Sequence, residues 1–189
     1  MIHAIFRRTL SPRAVPWLAS FAAATAHLGA LGNGYPLDDA TILGHPLIQS
    51  LRTLPAAAMS PWWYESGRLY RPVTLVTLGL DRALAIPAIS HGANVALHAS
   101  VAALLARLCL RWLAPWPALA AALLFAVLPV HAEAVSTIVG RAELLSALGL
   151  VGLMLLVTRR EPPTPIALLG SALLGAASCS TRLDADEHR

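Results

Sequence analysis

Apolar residues do not alternate along this chain. They run in blocks, separated by short polar stretches. A helix that crosses a bilayer needs roughly 17–25 mostly apolar residues. Five blocks are candidates: Ala14 to Asn33, His91 to Leu113, Trp116 to Pro129 or Val130, Glu143 to Thr158, and Pro165 to Ser178. The last is short for a complete span. Two intervals interrupt the series, a long one over 34–90 and a short polar turn over 131–142. The long interval holds "SPWWYESGRLYRPVTLVTLGLDRALAI". Trp62, Trp63, Tyr64 and Tyr70 are residue types that gather at the headgroup level of a membrane. This predicts a short helix along the outer interface, followed by a partly buried helix from about Pro72 to Leu84. The pattern as a whole predicts an all-α integral membrane protein, a bundle of about five spans with interfacial helices in a long first outer loop.

Composition strengthens this picture. Of 189 residues, 57% are hydrophobic and 13% charged, and the mean hydropathy is +0.63. The net charge of +4 comes from arginine alone, since the chain has no lysine. The arginines stand in ones and twos at the ends of apolar blocks, which is the distribution of topology signals and not of a phosphate-reading stripe. Nucleic acid is therefore excluded as a partner, and the lipid bilayer is expected as one. Arg7, Arg8 and Arg13 precede the first block, Arg107 and Arg111 close the second, and Arg159 and Arg160 follow the fourth. With alternating spans all of these fall on one side. That side is cytoplasmic by the positive-inside rule, so the N-terminus is expected inside and the loop 34–90 outside. The first block follows a charged start, as a signal peptide does, but its apolar run is long and an uncleaved span is expected. Cys109 and Cys179 make no metal or disulfide framework, and no metal site is expected.

A few polar residues stand out against this background. Asp38 and Asp39 follow the first block. Adjacent carboxylates at a low-dielectric boundary repel, which raises at least one pKa and suits a general base. "LDDATIL" also fits an Asp cap of a short helix, and spacing alone leaves both readings open. His91, Asn94 and His98 lie at i, i+3 and i+7, one helix face. Such groups line a polar cavity or join spans by hydrogen bonds. Past Pro129, which suggests a kink or a break, come His131, Glu133, Arg141 and Glu143. If a helix continued through this region, Glu133, Thr137 and Arg141 would share a face. A plain polar turn between two spans is the simpler alternative. Arg68 and Arg71 stand near the aromatic cluster, where arginine suits a phosphate or touches lipid headgroups.

Four stretches carry a resemblance: "DDATILGHPLI", "YRPVTLVTLGLDRAL", "SHGANVALHASVAALL" and "LLFAVLPVHAEAVSTIVGRAELLSALGL". In this order and spacing they resemble the N-terminal membrane region of the transmembrane and tetratricopeptide-repeat O-mannosyltransferase family, over about residues 15 to 178. The family pattern HPxHTEAVxxIVGRAE is matched at His131, Glu133, Val135, Gly140, Arg141 and Glu143. Leu128 and Ala132 depart from it. The resemblance implies a GT-C glycosyltransferase fold, a polyprenyl-phosphate-linked sugar as donor, mannose being expected, and a protein Ser or Thr hydroxyl as acceptor. It implies inversion at the sugar and no obligatory metal or other cofactor. The acidic motif of the first outer loop maps onto Asp38 and Asp39, one of which would accept the hydroxyl proton. Arg71 and Arg141 suit the departing phosphate, and His91, Asn94, His98, His131 and Glu133 would lie near the donor. The setting would be a bacterial inner membrane, or the endoplasmic reticulum of a eukaryote. Residues 1–178 read as the N-terminal part of such a membrane domain and 179–189 as a divergent polar tail, which suggests a truncated copy. The competing expectations are a non-catalytic remnant or assembly partner, and a small transporter-like bundle that uses its buried His, Asn and Glu.

Overall fold

A computed structural model describes residues 10–64, 69–84, 86–158, 164–178 and 181–182. Arg7, Arg8, Arg68, Arg159, Arg160 and Cys179 lie outside the described residues. The described residues are mostly helical: α1 Ala14–Ala26, α2 Leu37–Leu43, α3 Leu54–Ala57, α4 Pro72–Leu84, α5 Pro87–Cys109, α6 Pro115–Val127, α7 Ala132–Ser136, α8 Arg141–Val157 and α9 Pro165–Ser178. Two-residue strands, β1 Leu69–Tyr70 and β2 Thr181–Arg182, pair antiparallel. Helices α4, α5, α6 and α9 each begin at a proline. Proline has no N–H to leave orphaned in the first turn, and its fixed φ already suits a helix. The same prolines disfavour helix in the residue before them, so they set the breaks between elements.

The bundle is held by small residues. Val15, Ala19 and Ala23 of α1 repeat every four positions, as do Ala118, Ala122 and Ala126 of α6. Ala99, Ala102 and Ala106 of α5 complete the same buried cluster. Alanine at helix contacts lets backbones approach closely, which is the packing used where no water drives association. Helices α8 and α9 come closer still. A Cβ on Gly149 would stand 2.5 Å from the Gly175 backbone nitrogen, so only glycine fits there. Arg111, just past α5, donates to the carbonyls of Leu155 and Thr158 at the end of α8. Arg13 and Arg107 line one cleft. The start of α1 and the ends of α5 and α8 therefore lie at one end of the bundle.

A second core, not a lipid interface, organises the long loop. Trp62 is 1% exposed and packs with Ile42, Ile48, Leu75, Leu78 and Ile138. The sequence suggests that this tryptophan lies at a headgroup boundary. Folding places it inside a small apolar cluster that also takes Ile138 from the loop between α7 and α8. Tyr64, at 55% exposure, is the aromatic that stays outside.

Among the described residues, α5 is the one helix both long and apolar enough to cross a membrane. Helix α6 qualifies only together with Pro129–Ser136, across a 46° bend. The apolar helix α1 has 13 residues, a rise of about 20 Å against a hydrocarbon core of roughly 30 Å. The first block is therefore not one continuous helix to Asn33. It turns into a 3₁₀ segment, Leu28–Gly32.

Candidate functional site

The candidate polar residues lie away from the end of the bundle that holds Arg111 and fall into three arrangements. One group is locked into the framework. Asp39 is fully buried. Its Oδ2 accepts the Ile138 N–H at 3.0 Å and its Oδ1 the Val139 N–H at 3.1 Å. It thus ties α2 to a loop a hundred residues later in the chain. Arg141, 2% exposed, donates from Nε to Asn94 Oδ1 at 3.0 Å and from Nη2 to the Ser90 carbonyl at 2.9 Å. Its Nη2 also pairs with Asp81 Oδ2 at 2.6 Å. Asn94 in turn donates to the Thr137 carbonyl at 2.6 Å. The guanidinium so joins α4, α5 and α8.

The alignment of Glu133, Thr137 and Arg141 on one face does not occur. Helix α7 stops at Ser136, and Thr137 adopts an extended conformation before α8 begins at Arg141. Gly140 explains the turn. A Cβ there would stand 2.3 Å from the Ala134 carbonyl oxygen, so the loop can fold back on α7 only with glycine. Glu133 consequently faces outward while Arg141 is buried.

The second group is open. Arg71, Glu133, Thr137, Val139, Gly140 and Glu143 line a cleft of about 310 Å³. Arg71 stands 3.5 Å from Glu143 Oε1 and lies over the Trp62 ring at 5.2 Å. The Glu143 side chain is 56% exposed, so this pair is weak. Asp38, next to buried Asp39, is exposed.

The histidines form a third arrangement. On the buried face of α5, His98 bonds the Ala126 carbonyl at 3.1 Å. Its ring meets His27 at 4.8 Å and His131 at 5.2 Å, centroid to centroid. His91 is fully buried and stacks on Tyr35 at 5.8 Å. Neither of its ring nitrogens has a partner among the described residues. Sequence reasoning did not single out His27 or Asp81. His27 ends a block with no companion nearby in sequence, and Asp81 looks like one of several balanced loop charges. Their partners come from other segments. No group of three or more His, Cys, Asp or Glu among the described residues has metal-holding geometry.

These features define a class: a helical chain with a membrane-length apolar helix, whose polar residues assemble beside a charged cleft at one end of the bundle. Comparison with known proteins makes this specific. Protein O-mannosyl-transferase TMTC3 of Homo sapiens is 37% identical over 123 residues, 61% of this chain and 13% of that protein. Its namesake in Mus musculus is 32% identical over 171 residues, 82% of this chain and 19% of that protein. Protein O-mannosyl-transferase F38B6.6 of Caenorhabditis elegans is 32% identical over 157 residues, 76% of this chain and 23% of that protein. The chain belongs to this transmembrane and tetratricopeptide-repeat O-mannosyltransferase family. It spans less than a quarter of the length of these relatives. No family model and no solved structure matches it.

Proposed function

We propose that the chain is the N-terminal, catalytic-loop-bearing part of a membrane glycosyltransferase of the GT-C type. It would transfer a sugar, mannose by the relatives' names, from a polyprenyl phosphate to a protein Ser or Thr hydroxyl. The observation that carries the reading is the junction of the Asp38–Asp39 pair with the charged cleft. Asp39 bonds the N–H of Val139, and Val139 lines the cleft that holds Arg71 and Glu133. The acidic motif is thus tied to the loop that borders the cleft holding Arg71, which supports a site joining an acid to a phosphate-binding arginine.

The two aspartates divide the work. Asp39 is fully buried and both of its oxygens accept backbone N–H groups, so an acceptor hydroxyl cannot reach it. Asp39 is the positioning residue. Asp38, exposed and adjacent, is the base. It accepts the proton of the acceptor hydroxyl as that oxygen attacks the anomeric carbon. The bond from that carbon to the phosphate oxygen breaks on the opposite face, so the sugar inverts. Arg71 receives the departing phosphate, for which a guanidinium is suited by charge and geometry. Arg141 and Asn94 act at a distance by holding the 137–141 loop. His91, fully buried and with neither ring nitrogen partnered among the described residues, and the cluster of His98 and His131 would lie beneath the donor path. In this reading α1, α5, α6, α8 and α9 all sit in the bilayer with the N-terminus inside. The exposed apolar side chains Trp17, Phe21, Leu124, Ile166, Leu169 and Leu173 face lipid.

The test is transfer of label from a radiolabelled polyprenyl-phosphate mannose to protein, in membranes containing the chain. Label that appears with the native sequence and disappears in Asp38→Asn supports the reading. Label that persists in both Asp38→Asn and the double variant with Asp39→Asn removes the proposed base. Complete absence of transfer by an inserted, folded chain favours an assembly partner.

A further inference from the structure

The opposite end of the bundle carries charges that glycosyl transfer does not use. Arg13, at the start of α1, and Arg107, in the last turn of α5, are both exposed. With Pro12, Pro16, Trp17 and Leu110 they line a cleft of about 440 Å³. Arg107 also borders a neighbouring cleft of about 580 Å³ with Arg111, Leu155 and Ser171. Among the described residues no carboxylate lines either one. Arg111 is already engaged, because it donates to the α8 carbonyls. Arg13 and Arg107 form no ion pair with any described residue. Two guanidiniums that share a cleft repel each other, and an anion between them removes that cost.

An apolar lane leads away from the pair. Arg13 holds a helical conformation at the cap of α1, with φ −69° and ψ −27°. Arg13, Trp17 and Phe21 are spaced four apart and share one helix face. Trp17 is 74% exposed and Phe21 70%. A phosphate site that continues into exposed aromatic surface has the shape of an amphiphile. A free phosphate would use the arginines and leave the lane unoccupied. We propose that this end of the bundle binds the phosphodiester headgroup of an anionic phospholipid, with Arg13 and Arg107 on the phosphate and Trp17 and Phe21 along the acyl chain.

The full chain, purified in a neutral detergent, is titrated with phosphatidylglycerol and, separately, with phosphatidylcholine. Both carry brominated acyl chains, and tryptophan quenching is the readout. An arginine near an anionic lipid is worth roughly fivefold in affinity, so the pair predicts a preference of about thirtyfold for phosphatidylglycerol. The double variant Arg13→Gln/Arg107→Gln brings the two lipids near parity. Arg13→Lys/Arg107→Lys keeps most of the preference, because the charge remains. Arg52→Gln, an exposed arginine of the 34–90 loop, changes nothing. Equal affinity of the native chain for both lipids overturns the proposal, and so does a preference that survives the glutamine double variant. Inorganic phosphate that displaces the lipid at millimolar concentration assigns the site to a free anion and also overturns it. Should the double variant not fold, the two single glutamine variants decide. Each is expected to lose about fivefold, and no loss in either sinks the idea.

Discussion

Asp39→Asn separates the two roles assigned to the aspartate pair. The substitution keeps the shape and one acceptor oxygen. It removes the charge and points an NH2 group at one of two backbone N–H donors, those of Ile138 and Val139, now 3.0 and 3.1 Å from the carboxylate. A hydrogen bond to a charged group contributes about 1.5–3 kcal/mol net, and a buried donor left unpaired costs about 1–3 kcal/mol. One bond lost and one weakened sum to about 2–4 kcal/mol. Asp39 is fully buried, so water cannot take over the orphaned donor. At roughly 2–4 °C per kcal/mol for a chain of this size, the thermal midpoint falls by about 5–15 °C. Asp38→Asn, on an exposed side chain, is expected within about 0.5 kcal/mol of the native stability. The assay is thermal unfolding of both variants in the same detergent, followed by circular dichroism. A stable Asp39→Asn beside a destabilised Asp38→Asn would refute the division of labour. Transfer activity is then measured on Asp38→Asn, where stability no longer confounds the result.

Removing Arg141 strands Asp81, Asn94 and the Ser90 carbonyl together. Breaking such a buried pair costs about 3–5 kcal/mol, and a double-mutant cycle of Arg141→Met with Asp81→Leu in chemical denaturation should show coupling well above the error of additivity. Gly140→Ala is expected to destabilise by about 1–3 kcal/mol or more, because its Cβ would meet the Ala134 carbonyl. Limited proteolysis near residues 137–140 reports the opened loop. His45 supplies a pH signature. Its Nδ1 accepts the Leu47 N–H and its Nε2 donates to the Pro61 carbonyl. Burial lowers its pKa below the ordinary value of 6.5, partly opposed by the Pro61 bond. A lowered histidine pKa means that the unfolded chain protonates first. The stability is therefore present above the unfolded value and is lost as pH falls through about 6.5 toward the folded pKa. Unfolding midpoints of the native chain and His45→Gln across this range check it, and identical slopes would remove His45 as the source.

Much of the architecture is written in the sequence because it rests on local causes. Blocks of apolar residues mark α5, α6, α8 and α9 within a few residues of their observed limits. The "PVTLVTLGLDRAL" stretch reads as the helix that it forms. The i, i+3, i+7 pattern of His91, Asn94 and His98 survives because it depends only on α5 being continuous. Other features need partners distant in sequence. Nothing in "SPWWYE" says that Trp62 turns inward, since its pocket is closed by Ile138. Asp38 and Asp39 are indistinguishable neighbours until residues 138 and 139 arrive to hydrogen-bond one of them. Arg141 looks available for a ligand until Asp81 and Asn94 enclose it. Patterning fixes which segments are helical and which face is apolar, because hydrogen bonding and solvation act over a few residues. Which polar groups are consumed by the framework and which stay open to chemistry depends on contacts some fifty to a hundred residues apart, and only the packed structure decides that.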